Sequence, residues 1–143
     1  MDALEWGCRD IPEECGAFLQ VSGMTYEIDA EVGSPCRKDA AGLFAGVEGA
    51  RRVQNVTIGG EPLDPEKKYT LASIDYMLFK HGDGFTMFDG APVVLEGIKL
   101  DNQVLIDYIT DTLGGTVGSE YADPLGQGRI TYMDAGETAK QAA

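Results

Sequence analysis

One histidine, His81, serves the whole chain of 143 residues. A metallohydrolase needs several imidazoles and carboxylates converging on its ion, so a single imidazole excludes a two-metal centre of the usual kind. An all-carboxylate cage would need an Asp-rich loop, and none is present. Serine or cysteine nucleophiles have no base to pair with except His81, and His81 reads as a loop residue at a helix end. Neither G-x-x-x-x-G-K-[ST] nor G-x-G-x-x-G occurs, so nucleotide phosphates have no glycine cradle. Basic residues are scarce as well: 11 Lys and Arg stand against 24 Asp and Glu, for a net charge of −13. A chain so acidic repels phosphate backbones and anionic lipid, which excludes nucleic-acid binding. No apolar run approaches the roughly 20 residues of a membrane span, and no basic-then-apolar leader opens the chain. The three cysteines, Cys8, Cys15 and Cys36, lack zinc-knuckle spacing and allow at most one disulfide. On these grounds the chain is expected to carry no catalytic residue, no metal ligand and no cofactor of its own.

What is present is an ordinary globular composition, 43% hydrophobic and 24% charged, at a length suited to one domain. Residues Ala3 to Cys8 read as the last turns of a helix stopping at Gly7. A chain opening inside a helix reads as a fragment, with any export signal lying upstream. Strands are expected at Phe18–Ser22, Met24–Asp29, Val53–Ile58, Tyr69–Ile74, Val93–Leu95 and Arg129–Met133, by apolar alternation or β-branched content. Gly59-Gly60 marks a tight turn and Asp64-Pro65 another. Residues 32–50, rich in Gly, Ser and Ala, read as a surface excursion with little structure. Asp101 is placed as the cap of a helix whose Val104, Leu105, Tyr108, Ile109 and Leu113 share one face, and which ends at Gly114-Gly115. The fold class expected is α/β (α+β): a mixed β-sheet of about four to five strands flanked by helices, spanning residues 1–133, with a frayed tail at 134–143.

The stretch Ile74 to Phe85 concentrates the recognisable chemistry. Asp83, bracketed by Gly82 and Gly84, can aim a carboxylate outward, and a carboxylate accepts two hydrogen bonds from a vicinal diol. Tyr76 offers a flat ring for stacking. Gly16, between Cys15 and the Phe18 segment, could admit close backbone approach to a base edge. Plainer alternatives stand beside each: Asp83 capping its own turn, Tyr76 as a core tyrosine, Gly16 as an ordinary loop glycine.

Four ordered segments carry a resemblance. They are Gly16-Ala17-Phe18-Leu19-Gln20-Val21-Ser22-Gly23, then Gly60-Glu61-Pro62-Leu63-Asp64-Pro65, then Tyr69-Thr70-Leu71-Ala72-Ser73, then Gly82-Asp83-Gly84-Phe85-Thr86-Met87-Phe88. With the closing Tyr121 to Ile130 segment, the chain resembles the C-terminal domain of the 5'-nucleotidase/UDP-sugar hydrolase/2',3'-cyclic phosphodiesterase family over about residues 3–133. The resemblance implies a two-domain secreted or cell-envelope hydrolase. In such a protein an N-terminal metallophosphatase domain holds a pair of divalent metals and performs hydrolysis, while the C-terminal domain grips the nucleoside or nucleotide. It implies that Asp83 holds the ribose hydroxyls, Tyr76 is one of two stacking aromatics, and Gly16 lies at the base edge.

The chain departs from the family pattern in three places. The Asn-Gly-Gly-Ile-Arg-like segment and the Pro-Phe-Gly segment with the second aromatic are absent and are expected upstream of Met1. One additional residue separates Tyr76 from Asp83, and His81 stands where a glycine is usual, which implies a somewhat turned Tyr76. The other reading from the sequence is a stand-alone extracellular interaction module that keeps the fold without nucleotide binding.

Overall fold

The computed structural model describes residues 1–123 and 127–133; the tail expected at 134–143 lies outside the described residues. The chain divides into two compact units, Met1–Asp89 together with the chain from Gly128 onward, and Gly90–Gln127.

The first unit is built on a four-stranded mixed sheet, ordered Glu61–Pro62, Val53–Ile58, Met24–Ile28 and Ile130–Tyr132, which gives the α+β fold expected. Strand β1 (Met24–Ile28) turns Tyr26 and Ile28 inward, as its alternation predicts. It pairs antiparallel with β4 (Val53–Ile58), where the Thr25 and Thr57 hydroxyls meet at 2.7 Å. The ladder shifts register between Thr25 and Glu27, opposite left-handed Asn55, so one residue bulges from the β4 side. Gly59 and Gly60 (φ 62 and 85) turn β4 into the short β5 (Glu61–Pro62). Two consecutive positive φ values are what a tight hairpin of this twist demands. On its other side β1 pairs in parallel with β6 (Ile130–Tyr132).

Helix α1 (Asp2–Gly7) serves two cores. Leu4 and Cys8, one turn apart, pack with Tyr26, Ile28, Val53 and Val56 on the sheet. Trp6 points to a second cluster with Ala17, Phe44 and Phe85. Glu5, fully buried, accepts the backbone amides of Val53 (3.0 Å) and Arg52 (3.4 Å), tying the helix to β4. Burial pushes its carboxyl above the usual range, with those two amides opposing the rise. The Arg52 guanidinium donates to the carbonyls of Cys8 and Ile11, each at 2.9 Å, and of Val32.

Several expectations need correction. Residues 32–50 are not structureless: β2 (Cys36–Lys38) and β3 (Phe44–Val47) form a hairpin. Asp39 organises its turn by accepting the amides of Ala41 and Leu43 at 2.9 Å. Phe18–Ser22 forms no strand; it runs as a covering segment whose Phe18, Leu19 and Val21 pack on the first core. Tyr69–Ile74 and Val93–Leu95 are not strands either. β propensity alone does not make a strand without a ladder partner, and Val94 is 80% exposed. All three cysteines are free thiols.

The second unit centres on helix α3 (Asp101–Asp107), which continues through a wide turn at Tyr108–Thr112. Asp101 is its first residue rather than its cap, Leu100 occupying the flanking position. Gly115 N–H reaches back to the Ile109 carbonyl at 2.8 Å, so the expected Gly114-Gly115 stop is observed. The Tyr108 and Tyr121 hydroxyls meet at 2.9 Å.

Candidate functional site

Helix α2 (Asp75–Phe79) delivers Tyr76, and the turn after it delivers Asp83. The backbone between them is unusual. His81 (φ 52, ψ 30) and Asp83 (φ 52, ψ 18) are both left-handed although neither is glycine, and Gly84 follows at φ 86. Side chains other than glycine occupy this region at a cost of about 1–2 kcal/mol, so surrounding contacts must hold the turn.

Those contacts are visible. The Trp6 indole N–H donates to the Asp83 carbonyl at 2.8 Å across 77 positions of sequence. Gly84 N–H returns to the His81 carbonyl at 2.9 Å, and Phe85 N–H to that of Gly82 at 3.2 Å. Phe85 itself is 1% exposed and anchors the end of the turn in the second core.

The two glycines have different reasons to be glycine. A Cβ on Gly84 would lie 2.7 Å from Trp6 Cζ2, on a backbone already left-handed. Gly82 is not left-handed; there a Cβ would fall 2.3 Å from the Tyr76 ring. The Tyr76 ring therefore lies flush against the Gly82 backbone.

Tyr76 and Asp83 are brought together. The Tyr76 hydroxyl donates to Asp83 Oδ1 and accepts the Asp83 amide, both at 3.3 Å. Tyr76 is 46% exposed, which removes it from the core. One edge of the ring is thus backed by Gly82, its hydroxyl is tethered, and Asp83 beside it is exposed. Gly16 is exposed on the loop between Cys15 and Ala17, two residues that pack on the Trp6–Phe85 cluster, and open space lies above its Cα.

Two contributors were missed in the sequence. Trp6 was read only as part of a helix end; that it is the chain's one tryptophan was the available signal. The β2–β3 hairpin was the other. Phe44 on β3 meets the Trp6 ring edge-on, centroids 5.6 Å apart at 72°, and its carbonyl accepts the Thr86 hydroxyl at 2.7 Å. The hairpin thereby buttresses the loop that follows Asp83. Arg9 adds a guanidinium 4.2 Å over the indole.

Among the described residues, no group of three or more His, Cys, Asp or Glu is placed to hold a metal ion. No helix among the described residues is long and apolar enough to cross a membrane.

One loop thus joins an exposed carboxylate, Asp83, to a half-exposed aromatic ring, Tyr76, packed against Gly82. The chain belongs to the 5'-nucleotidase C-terminal domain family, whose model matches residues 1–90, a span that includes Gly16, Tyr76 and Asp83. Protein UshA of Yersinia enterocolitica serotype O:8 / biotype 1B (strain NCTC 13174 / 8081) is 38% identical over 63 residues, covering 44% of this chain and 11% of that protein. The matched stretch is thus a small part of the relative's length. No solved structure matches the chain.

Proposed function

We propose that this chain is the nucleoside-gripping part of a two-domain, metal-dependent 5'-nucleotidase-type hydrolase of the extracellular space or cell envelope. Hydrolysis of the phosphate ester falls to an N-terminal metallophosphatase domain carrying a pair of divalent metal ions. The observation that carries the reading is the Tyr76–Asp83 juxtaposition within a family-matched span.

In this reading Asp83 accepts the ribose hydroxyls. Its Oδ1 is occupied by the Tyr76 hydroxyl at a long 3.3 Å, so a diol engages Oδ2 and displaces or shares that phenol. The outer face of Tyr76 stacks on the base, worth about 0.5–1.5 kcal/mol beyond area burial. Gly16, with nothing above its Cα, lets the base edge approach the backbone. One aromatic face and no phosphate ligand make for weak affinity in this chain, since contact area and pre-organisation are both partial. The acidic surface favours neutral nucleosides over nucleotides.

The test is a titration of the full chain with adenosine and with uridine, followed by amide shifts. Shifts should concentrate at Gly16, Tyr76 and Gly82–Gly84 and vanish in Asp83→Ala. Tyr76→Phe keeps the ring and frees Oδ1, so binding should persist. Shifts located elsewhere, or untouched by Asp83→Ala, would overturn the assignment.

A further inference from the structure

Asp83 depends on a turn that its own residues disfavour. Three of its four positions from His81 to Gly84 are left-handed, and two of those are not glycine. His81 is the more informative, because its side chain makes a contact that a glycine could not. Its Nε2 lies 2.8 Å from Asp89 Oδ1 and 2.9 Å from Asp89 Oδ2, bisecting the carboxylate.

The backbone of Asp89 is itself held. Its amide donates to the Thr86 carbonyl at 3.1 Å, and the Thr86 hydroxyl is held by the Phe44 carbonyl of β3 at 2.7 Å. A continuous path therefore runs from the β2–β3 hairpin through Thr86 and Asp89 to the His81 ring. From there it reaches the His81 carbonyl, which receives the Gly84 amide. The path closes residues 81–89 into a loop with the Asp83 carboxylate at its exposed side.

We infer that His81, through Asp89, is a positioning residue that staples the Asp83 turn shut in its left-handed form. The ligand-binding arm of this inference rests on the nucleoside reading above; the loop-order arm does not. The pair is substantially exposed, His81 39% and Asp89 59%, so its effect falls on local opening of the turn rather than on global stability.

The variants separate backbone from side chain. Asn and Gly both tolerate the left-handed region, and neither can span to Asp89. Asp tolerates it as well, so the exchanged pair H81D/D89H rebuilds the contact with its ends reversed. The measurement is amide hydrogen exchange at Gly84 in the full chain, with urea midpoints and adenosine affinity alongside. His81→Asn and His81→Gly should speed Gly84 exchange by about threefold and weaken adenosine by a similar factor, with the urea midpoint unchanged. H81D/D89H should restore both.

Gly84 exchange in His81→Asn equal to the parent's would overturn the staple. So would failure of the exchanged pair to restore exchange while the protein remains folded. If the parent binds no adenosine yet Gly84 exchange responds as described, the staple stands and the nucleoside reading falls.

Discussion

Replacing Trp6 by phenylalanine asks whether the first helix holds the candidate site. Trp6 is 1% exposed, donates its indole N–H to the Asp83 carbonyl at 2.8 Å, and packs edge-on against Phe44. Phenylalanine keeps a six-membered ring in the second core and loses the donor and the five-membered ring. The missing hydrogen bond costs about 1–2 kcal/mol, because the Asp83 carbonyl is left facing an apolar group. The vacated volume adds roughly 1 kcal/mol, well short of the roughly 3–5 kcal/mol for truncation to alanine. A loss of about 2–3 kcal/mol follows. Urea unfolding followed by far-ultraviolet circular dichroism should show the midpoint falling by about 1–2 M. The Gly82–Phe85 amides should shift in the same variant. A loss below about 0.5 kcal/mol with unmoved Gly84 and Phe85 amides would refute the reasoning, since the indole would then be packing without holding the turn.

Gly84→Ala and Gly60→Ala form a matched pair, with nearly equal φ values of +86 and +85 but open space only at Gly60. Gly60→Ala should cost about 1 kcal/mol and Gly84→Ala at least twice that, because its Cβ meets the indole; equal losses in urea titrations would contradict the close approach. Glu5 has a folded-state pKa raised by burial. Its contribution to stability is therefore full below the ordinary carboxylate pKa and is lost as pH rises through the raised one. Stability measured against Glu5→Gln should fall as pH climbs from about 4, and a difference that grows with pH would reverse the sign argued here. Burial pushes the Cys8 thiol up to about 12, so at pH 8 an aromatic disulfide reagent should label Cys8 only after unfolding. A Cys8-containing peptide labelled under native conditions would show the first core to be open.

Elements whose signal is local were legible in the sequence. Strand β1 announced itself by alternation, β4 by its β-branched residues, the turn after β4 by Gly59-Gly60, and the end of α3 by Gly114-Gly115. Asp83 was read as outward-facing, and it is. Glycine-only backbone on both sides of Asp83 is the expectation, and it holds at Gly84 alone: Gly82 is not left-handed and leaves room beside Tyr76, while Asp83 and His81 are themselves left-handed. The failures share a cause. Tyr69–Ile74 and Phe18–Ser22 have strand-like composition, yet strands are made by partners far along the chain, and composition does not say whether a partner exists. The β2–β3 hairpin was hidden by glycine and alanine, its stability coming from Asp39 in the turn and from Phe44 set against Trp6. The Trp6–Asp83 bond has no local sequence signature at all.

The parallel pairing of β1 with β6 bears on how the molecule reaches its native state. The antiparallel β1–β4 ladder joins segments about 30 residues apart and can form early, whereas Tyr26 waits for Ile130, about a hundred residues later. At roughly 5–20 residues per second of synthesis, β1 spends several seconds with one flank unpaired. During that interval the emerging chain offers a bare edge of Tyr26 and Ile28 to any neighbouring polypeptide. Sheet completion should thus be the slow, crowding-sensitive step of biogenesis, set by topology rather than by the strength of any single contact.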